Sequence, residues 1–153
     1  MDHSSGKPLT VHLAGNLMTF RARGSETGGQ LSIVEALTAP GEGAPPHRQT
    51  DGESFLVLEG EYEFMLDGAA RRCGPGDFVH AAAGQVHAFR NTGDAPARML
   101  ILNTPAGPHE AFIIAAGDEV PAGTRDFPGF GPAEIDRLVA AAHANAMEVL
   151  PPA

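Results

Sequence analysis

Apolar side chains recur at every second position on both sides of a tight turn at Glu59-Gly60. Phe55 and Val57 precede the turn, Tyr62, Phe64 and Leu66 follow it, and Glu59, Glu61 and Glu63 are interleaved. A helix would scatter such a pattern around its axis, whereas an extended chain puts alternate residues on one face. The segment therefore reads as a half-buried hairpin with its carboxylates outward. Asp67-Gly68 is a second tight-turn signal, leading into Ala69 to Cys73. Further apolar or β-branched stretches bounded by Gly or Pro lie at Val11–Arg23, Gln30–Ala39, Asp77–Ala81, Val86–Asn91 and Arg98–Asn103. With 19 Gly and 13 Pro among 153 residues, the chain is punctuated far too often for a helical bundle. About eight to ten short strands at this spacing make an all-β sandwich or small barrel.

The C-terminal end changes character. Pro132-Ala133-Glu134 opens a segment in which Ile135, Leu138, Val139 and Ala142 recur at helical spacing, and a proline followed by an acid suits a helix start. The pattern predicts a short helix covering the barrel and then an extended tail, Met147 to Leu150. His109 to Ala116 fits either helical turns or a strand, and Val120 to Gly131 reads as a loop. A single domain over 1–153 is expected, with the barrel at about 10–105 and the loop and helix at 106–153.

The formal charge of −9 repels a phosphate backbone, so nucleic acid is not expected as a partner. No apolar run approaches the roughly 18 residues needed to cross a bilayer, so no membrane partner is expected. The first residues carry no basic segment followed by an apolar stretch, so a cytoplasmic protein is expected. The single cysteine, Cys73, reads as a small packing residue.

Chemistry concentrates in two segments. In Gly41 to Gly60, His47 and Gln49 are two apart and project from one face of an extended chain, and Glu53 returns beside them after the turn at Asp51-Gly52. Asp51 itself reads as a turn residue bonded to its own backbone. The second segment, Gly76 to Asn91, supplies His87 at the start of another strand.

These segments resemble the two motifs of the cupin superfamily. Gly41, five residues, His47-x-Gln49, three residues, Glu53, six residues and Gly60 follow the spacing of the first. Gly76, five residues, Ala82-x-Gly84, two residues, His87, three residues and Asn91 follow the second. The resemblance implies a double-stranded β-helix, the cupin or jelly-roll barrel, with a divalent transition metal (Fe, Mn, Ni, Co or Zn) held by His47, Gln49, Glu53 and His87. Ala82 stands in place of the motif proline and relaxes a turn. Gln49 stands in place of the second motif histidine, and an amide oxygen is a weaker, harder donor than imidazole. Gln49 is thus either a weak fourth ligand or a hydrogen-bonding group that orients what binds. His47, Glu53 and His87 compose the two-histidine, one-carboxylate set of non-haem iron oxygenases. The same residues would also line a pocket that no longer binds metal.

Phe55, Val57, Tyr62, Phe64, Phe78, Phe89, Leu100 and Leu102 are expected to face the cavity, making it apolar and suited to an aromatic small molecule. His80 shares strand parity with Phe78, so it is a candidate acid/base group or a hydrogen-bonded core histidine. His3, His12, His109 and His143 have no partner at ligand spacing and are expected in solvent. Within the superfamily the chain is similar to small quercetin 2,3-dioxygenase-like members. That similarity implies a dioxygenase-type oxidoreductase in which Glu53 takes a substrate proton; burial would raise its pKa toward a useful base, and metal ligation would oppose that. It also implies a homodimer, with outward Leu56 and Leu58 available for pairing. Isomerase, polyketide cyclase and non-catalytic binding functions occur on the same fold and remain alternatives.

Overall fold

The structure, a computed structural model, describes residues 8–151; the expectation for His3 lies outside them. The strands in chain order are β1 (Thr10–Leu13), β2 (Asn16–Ala22), β3 (Ser32–Thr38), β4 (Gly43–Gln49), β5 (Gly52–Glu59) and β6 (Tyr62–Leu66). They continue as β7 (Ala69–Cys73), β8 (Phe78–Ala81), β9 (His87–Asn91) and β10 (Ala97–Thr104). Helix α1 (Pro108–Ala116), β11 (Asp118–Val120), helix α2 (Pro132–Ala144) and β12 (Met147–Val149) complete the order. The ambiguous stretch at His109 is therefore helical, and the anticipated C-terminal helix and extended tail are both present.

One sheet has the order β11-β1-β2-β3-β10-β5-β8 and the other β12-β4-β9-β6-β7, with antiparallel neighbours. This is the double-stranded β-helix. Phe55, Val57, Val79, Met99 and Ile101 from one sheet and Tyr62, Phe64 and Phe89 from the other form the centre of a single core. Cys73 is buried with them as a free thiol. Asp67 (φ 48) and Gly68 (φ 83) both take the left-handed conformation that a two-residue hairpin turn between β6 and β7 demands.

A buried polar chain ties the sheets together. The Tyr62 hydroxyl donates to Thr38 Oγ1 (2.9 Å), and Thr38 Oγ1 donates to Asn16 Oδ1 (2.9 Å). Asn16 Nδ2 in turn donates to the Gly43 carbonyl (3.0 Å). Each buried donor thereby meets an acceptor, which removes the penalty of leaving it dry and unpaired. Asn91, the last residue of the second motif, serves the turn that follows it. Its Nδ2 donates to the Thr38 (3.0 Å) and Ala95 (2.8 Å) carbonyls, and its Oδ1 accepts from Gly93 N.

Strand parity departs from expectation on β8 and β10. Val79 and Ala81 point inward, while Phe78 is 52% exposed and His80 is exposed. On β10 the inward residues are Met99, Ile101 and Asn103, and Leu100 and Leu102 are half-buried on the outer face. Phe78, Leu100 and Leu102 therefore do not line the interior. Both strands carry adjacent apolar residues (Phe78-Val79; Met99 through Leu102), so hydrophobicity alone gives no parity, and pairing to β5 decides it.

Gly43 is where β4 and β9 come closest: a Cβ there would lie 1.9 Å from the Phe89 carbonyl oxygen. Gly43→Ala should destabilise the fold by about 2–3 kcal/mol through overpacking against backbone that cannot yield. Gly74→Ala, with open space around its Cβ, should stay within about 0.5 kcal/mol of the parent. Urea unfolding of the two variants checks the contrast.

Candidate metal centre

Register brings the motif residues together. His47 on β4 and His87 on β9 are direct cross-strand partners, with ring centroids 4.2 Å apart. Glu53, near the start of β5 in the opposite sheet, pairs in register with Asn103 on β10. The three donors His47, Glu53 and His87 each offer a ligand atom within 4.8 Å of the others. Both sheets must therefore close for the cluster to exist.

Each motif imidazole is held in one orientation. His47 Nδ1 lies 2.8 Å from the Pro45 carbonyl and His87 Nδ1 2.9 Å from the Gln85 carbonyl. A carbonyl only accepts, so Nδ1 carries the proton and Nε2 is directed at Glu53, at 4.0 Å for His47 and 3.0 Å for His87. Nε2 is thus the nitrogen left for a metal, which in His87 would displace the proton shared with Glu53 Oε1, with backbone carbonyls as the outer partners.

Glu53 is 3% exposed. Its Oε1 faces the two motif histidines, and its Oε2 accepts from Asn103 Nδ2 (2.8 Å) and Gln49 Nε2 (3.3 Å). The same two amides also donate to Asp51 Oδ2, at 2.7 and 3.1 Å. Two buried carboxyl groups thus share two amide donors. The turn role expected for Asp51 is corrected: at 2% exposure its side chain is part of this network. Gln49 presents nitrogen to the acids, and its Oε1 is left buried without a donor.

Burial pushes the Glu53 carboxyl upward, but the imidazoles of His109, His87 and His47, together with the His87 hydrogen bond, outweigh it. They hold the pKa well below the usual carboxylate range. The upward push expected from burial is therefore present but is outweighed by the surrounding imidazoles. Burial lowers His87, and the Glu53 hydrogen bond and charge more than offset this, so its pKa is raised. His47 is lowered, mainly by burial and then by the neighbouring His87. The site thus favours a negative oxygen facing positive or electron-accepting partners, which is the electrostatic setting for a divalent cation. Two oriented imidazoles and a carboxylate, each offering a ligand atom within 4.8 Å of the others, fit such an ion.

The centre opens into a cavity of about 750 Å³ lined by His47, Glu53, Phe89 and Ile101, among others. Of the residues expected to line it, only Phe89 does. Phe55, Val57, Tyr62 and Phe64 are packed in the core, at 1% exposure or less. His80 is bonded through Nδ1 to Ser54 Oγ (2.8 Å) on the outer face, which corrects its candidacy as a cavity acid/base group. Much of the remaining wall comes from outside the motifs. Phe112 on α1 and Ile135, Leu138 and Val139 on α2 cover the barrel and face this space. The helical periodicity of α2 was legible in the sequence, but not that its apolar face borders a cavity.

Two histidines expected in solvent are buried. His12 Nε2 accepts from Gly15 N (3.1 Å), and burial lowers its pKa, so it is a neutral structural group. His109, 6% exposed, lines the cavity with Nε2 3.4 Å from Glu53 Oε2. No local spacing signals His109, because its partner lies 56 positions earlier in the chain. His143 is exposed, as expected. Among the described residues no helix is long and apolar enough to cross a membrane.

The family comparison agrees with fold and site. Residues 34–103, which include both motifs, match the family described as Cupin domain. Over those residues the chain carries a cupin domain. It is 42% identical over 59 residues to dimethylsulfoniopropionate lyase DddQ of Ruegeria pomeroyi, covering 38% of this chain and 29% of that protein. It is 30% identical over 87 residues to quercetin 2,3-dioxygenase of Bacillus subtilis, covering 56% of this chain and 26% of that protein. The chain thus spans less than a third of either curated relative. A solved structure of a predicted oxalate decarboxylase from Thermotoga maritima superposes with a TM-score of 0.59 at 19% identity, covering 67% of this chain and 95% of that one. At that identity the likeness concerns the fold.

Asn103→Leu should cost at least about 2 kcal/mol, because Glu53 and Asp51 both lose their shortest donor in a buried setting. Chemical denaturation of this variant measures the loss.

Proposed function

We propose that this chain is a metal-dependent oxidoreductase of dioxygenase type acting on a small aromatic or enolisable substrate. The observation that carries the reading is a two-histidine, one-carboxylate cluster at the wall of a largely apolar cavity. His47, Glu53 and His87 would hold a divalent transition metal, with Gln49 Oε1 as a weak further donor. Once bound, such a metal supplies Lewis acidity and open positions for an oxygen-bearing ligand.

The protein's own contribution is orientation and exclusion of water. The carbonyls of Pro45 and Gln85 fix the two rings, and Asn103 and Gln49 fix Glu53 so that Oε1 faces them. With its second oxygen occupied and its pKa depressed, Glu53 suits the role of ligand better than that of base. Phe89, Phe112 and Ile135 offer apolar surface to the body of the substrate, which favours a flat, uncharged molecule over a sugar phosphate. Similarity to the quercetin 2,3-dioxygenase over 87 residues supports the oxidative reading. The 42% identity over 59 residues to the dimethylsulfoniopropionate lyase supports a second reading, in which the same centre promotes a reaction that consumes no oxygen.

We also propose a homodimer packed through the outer face of the seven-stranded sheet, where Leu100, Leu56 and Phe78 lie side by side across β10, β5 and β8. Elution of the protein as a monomer on gel filtration would reject it.

Adding Fe(II), Mn(II), Ni(II) or Co(II) at a hundred times its dissociation constant should stabilise the protein by about 2.7 kcal/mol and raise Tm by about 5–10 °C. His87→Ala should abolish the shift. Absence of a shift with every one of these metals would defeat the metal-centre reading. Oxygen uptake during flavonol turnover supports the oxidative reading, and turnover without uptake favours the second. Gln49→His should tighten metal binding at least about tenfold, read by calorimetric titration.

A further inference from the structure

The motif position that carries imidazole in the first cupin motif carries Gln49 here, so β4 delivers one strong nitrogen donor where two are expected. A third buried imidazole nevertheless stands beside the cluster. His109 lines the same cavity as His47 and Glu53 and is 6% exposed. Its Nδ1 is buried with no hydrogen-bond partner among the described residues. Its Nε2 makes a 3.4 Å contact with Glu53 Oε2, longer than an ordinary N–H···O bond. A buried ring with neither nitrogen properly satisfied is costly unless it meets something else.

The other described histidines are accounted for. His12 is spent on Gly15 N, His80 is bonded to Ser54 on the outer face, and His143 is in solvent. His109 is also firmly placed. Its neighbour Glu110 accepts from Gly24 N (2.5 Å) and Arg23 Nε (3.0 Å), which anchors the first turn of α1 to the barrel. Helix α1 lies outside residues 34–103, so the family match assigns His109 no role.

We propose that His109 is the third imidazole donor of the metal centre, delivered from α1 in place of the one β4 lacks. The inference rests on the metal-centre reading above. His109 lies on the far side of the Glu53 carboxylate from His87, outside the 4.8 Å cluster, so ligation requires its ring to turn toward the ion. That motion exchanges a long contact and an unpaired nitrogen for a coordinate bond. The exchange suits the chemistry, because imidazole is a better donor to Fe, Ni, Cu and Zn than the neutral amide oxygen of Gln49.

The test loads metal-stripped full-length protein with one equivalent of Cu(II) and counts coordinated imidazoles by pulsed electron paramagnetic resonance. Three are expected in the parent and two in both His109→Ala and His109→Phe, the latter keeping the ring volume. Circular dichroism confirms that each is folded. Co(II) affinity should fall at least about tenfold in both variants. A parent spectrum showing two imidazoles, unchanged in the variants, would overturn the inference while leaving the centre intact. A parent that binds no stoichiometric Cu(II) would remove the centre itself, and the inference with it.

Discussion

Glu53 is the constraint on which the site depends. It is a nearly fully buried carboxylate, and the cost of drying it is met from two directions. Imidazoles from β4 and β9 in one sheet face one oxygen, and amides from Asn103 and Gln49 bond the other. Asn103 pairs with Glu53 within its own sheet, whereas His47 and His87 reach it across the barrel. A single side chain therefore requires correct register in both sheets. The oriented ring nitrogens beside that carboxylate then make the same point suitable for a cation.

The second carboxyl group follows from the first. Asp51 shares both amide donors with Glu53, so the two acids are locked together through Asn103 and Gln49. This explains how Gln49 can occupy a motif histidine's position without collapsing the site. Its nitrogen is consumed by the acids and its oxygen is left over. The amide acts on the geometry of Glu53 before it acts on anything bound. The helices add a second layer: α1 and α2 place apolar side chains over the barrel mouth, so the centre borders a space suited to an apolar ligand.

Much of this was legible in the chain. Alternation in β5 and β6, the turns at Gly60 and Gly68, and the helical spacing of Ile135 to Ala142 all appear as expected, because each depends on neighbours a few residues away. The spacing of His47, Glu53 and His87 was equally readable. The errors share a cause. Phe78, His80, Leu100 and Leu102 were assigned inward on strands whose adjacent residues are similarly apolar, and there only pairing with β5 chooses the face. Asp51 looked like a turn residue because its sequence context is a turn, whereas its partner Asn103 lies 52 positions away.

The sequence by itself determined the strand periodicity, the turn chemistry and the three donors at motif spacing, since backbone sterics and period-two alternation act locally. Only the tertiary structure decided that Asn103 and Gln49 bridge two acids, that α1 and α2 border the cavity, and that His109 comes to rest against Glu53. Those arrangements are products of barrel closure and helix docking, which bring together groups whose separation along the chain carries no periodic signal.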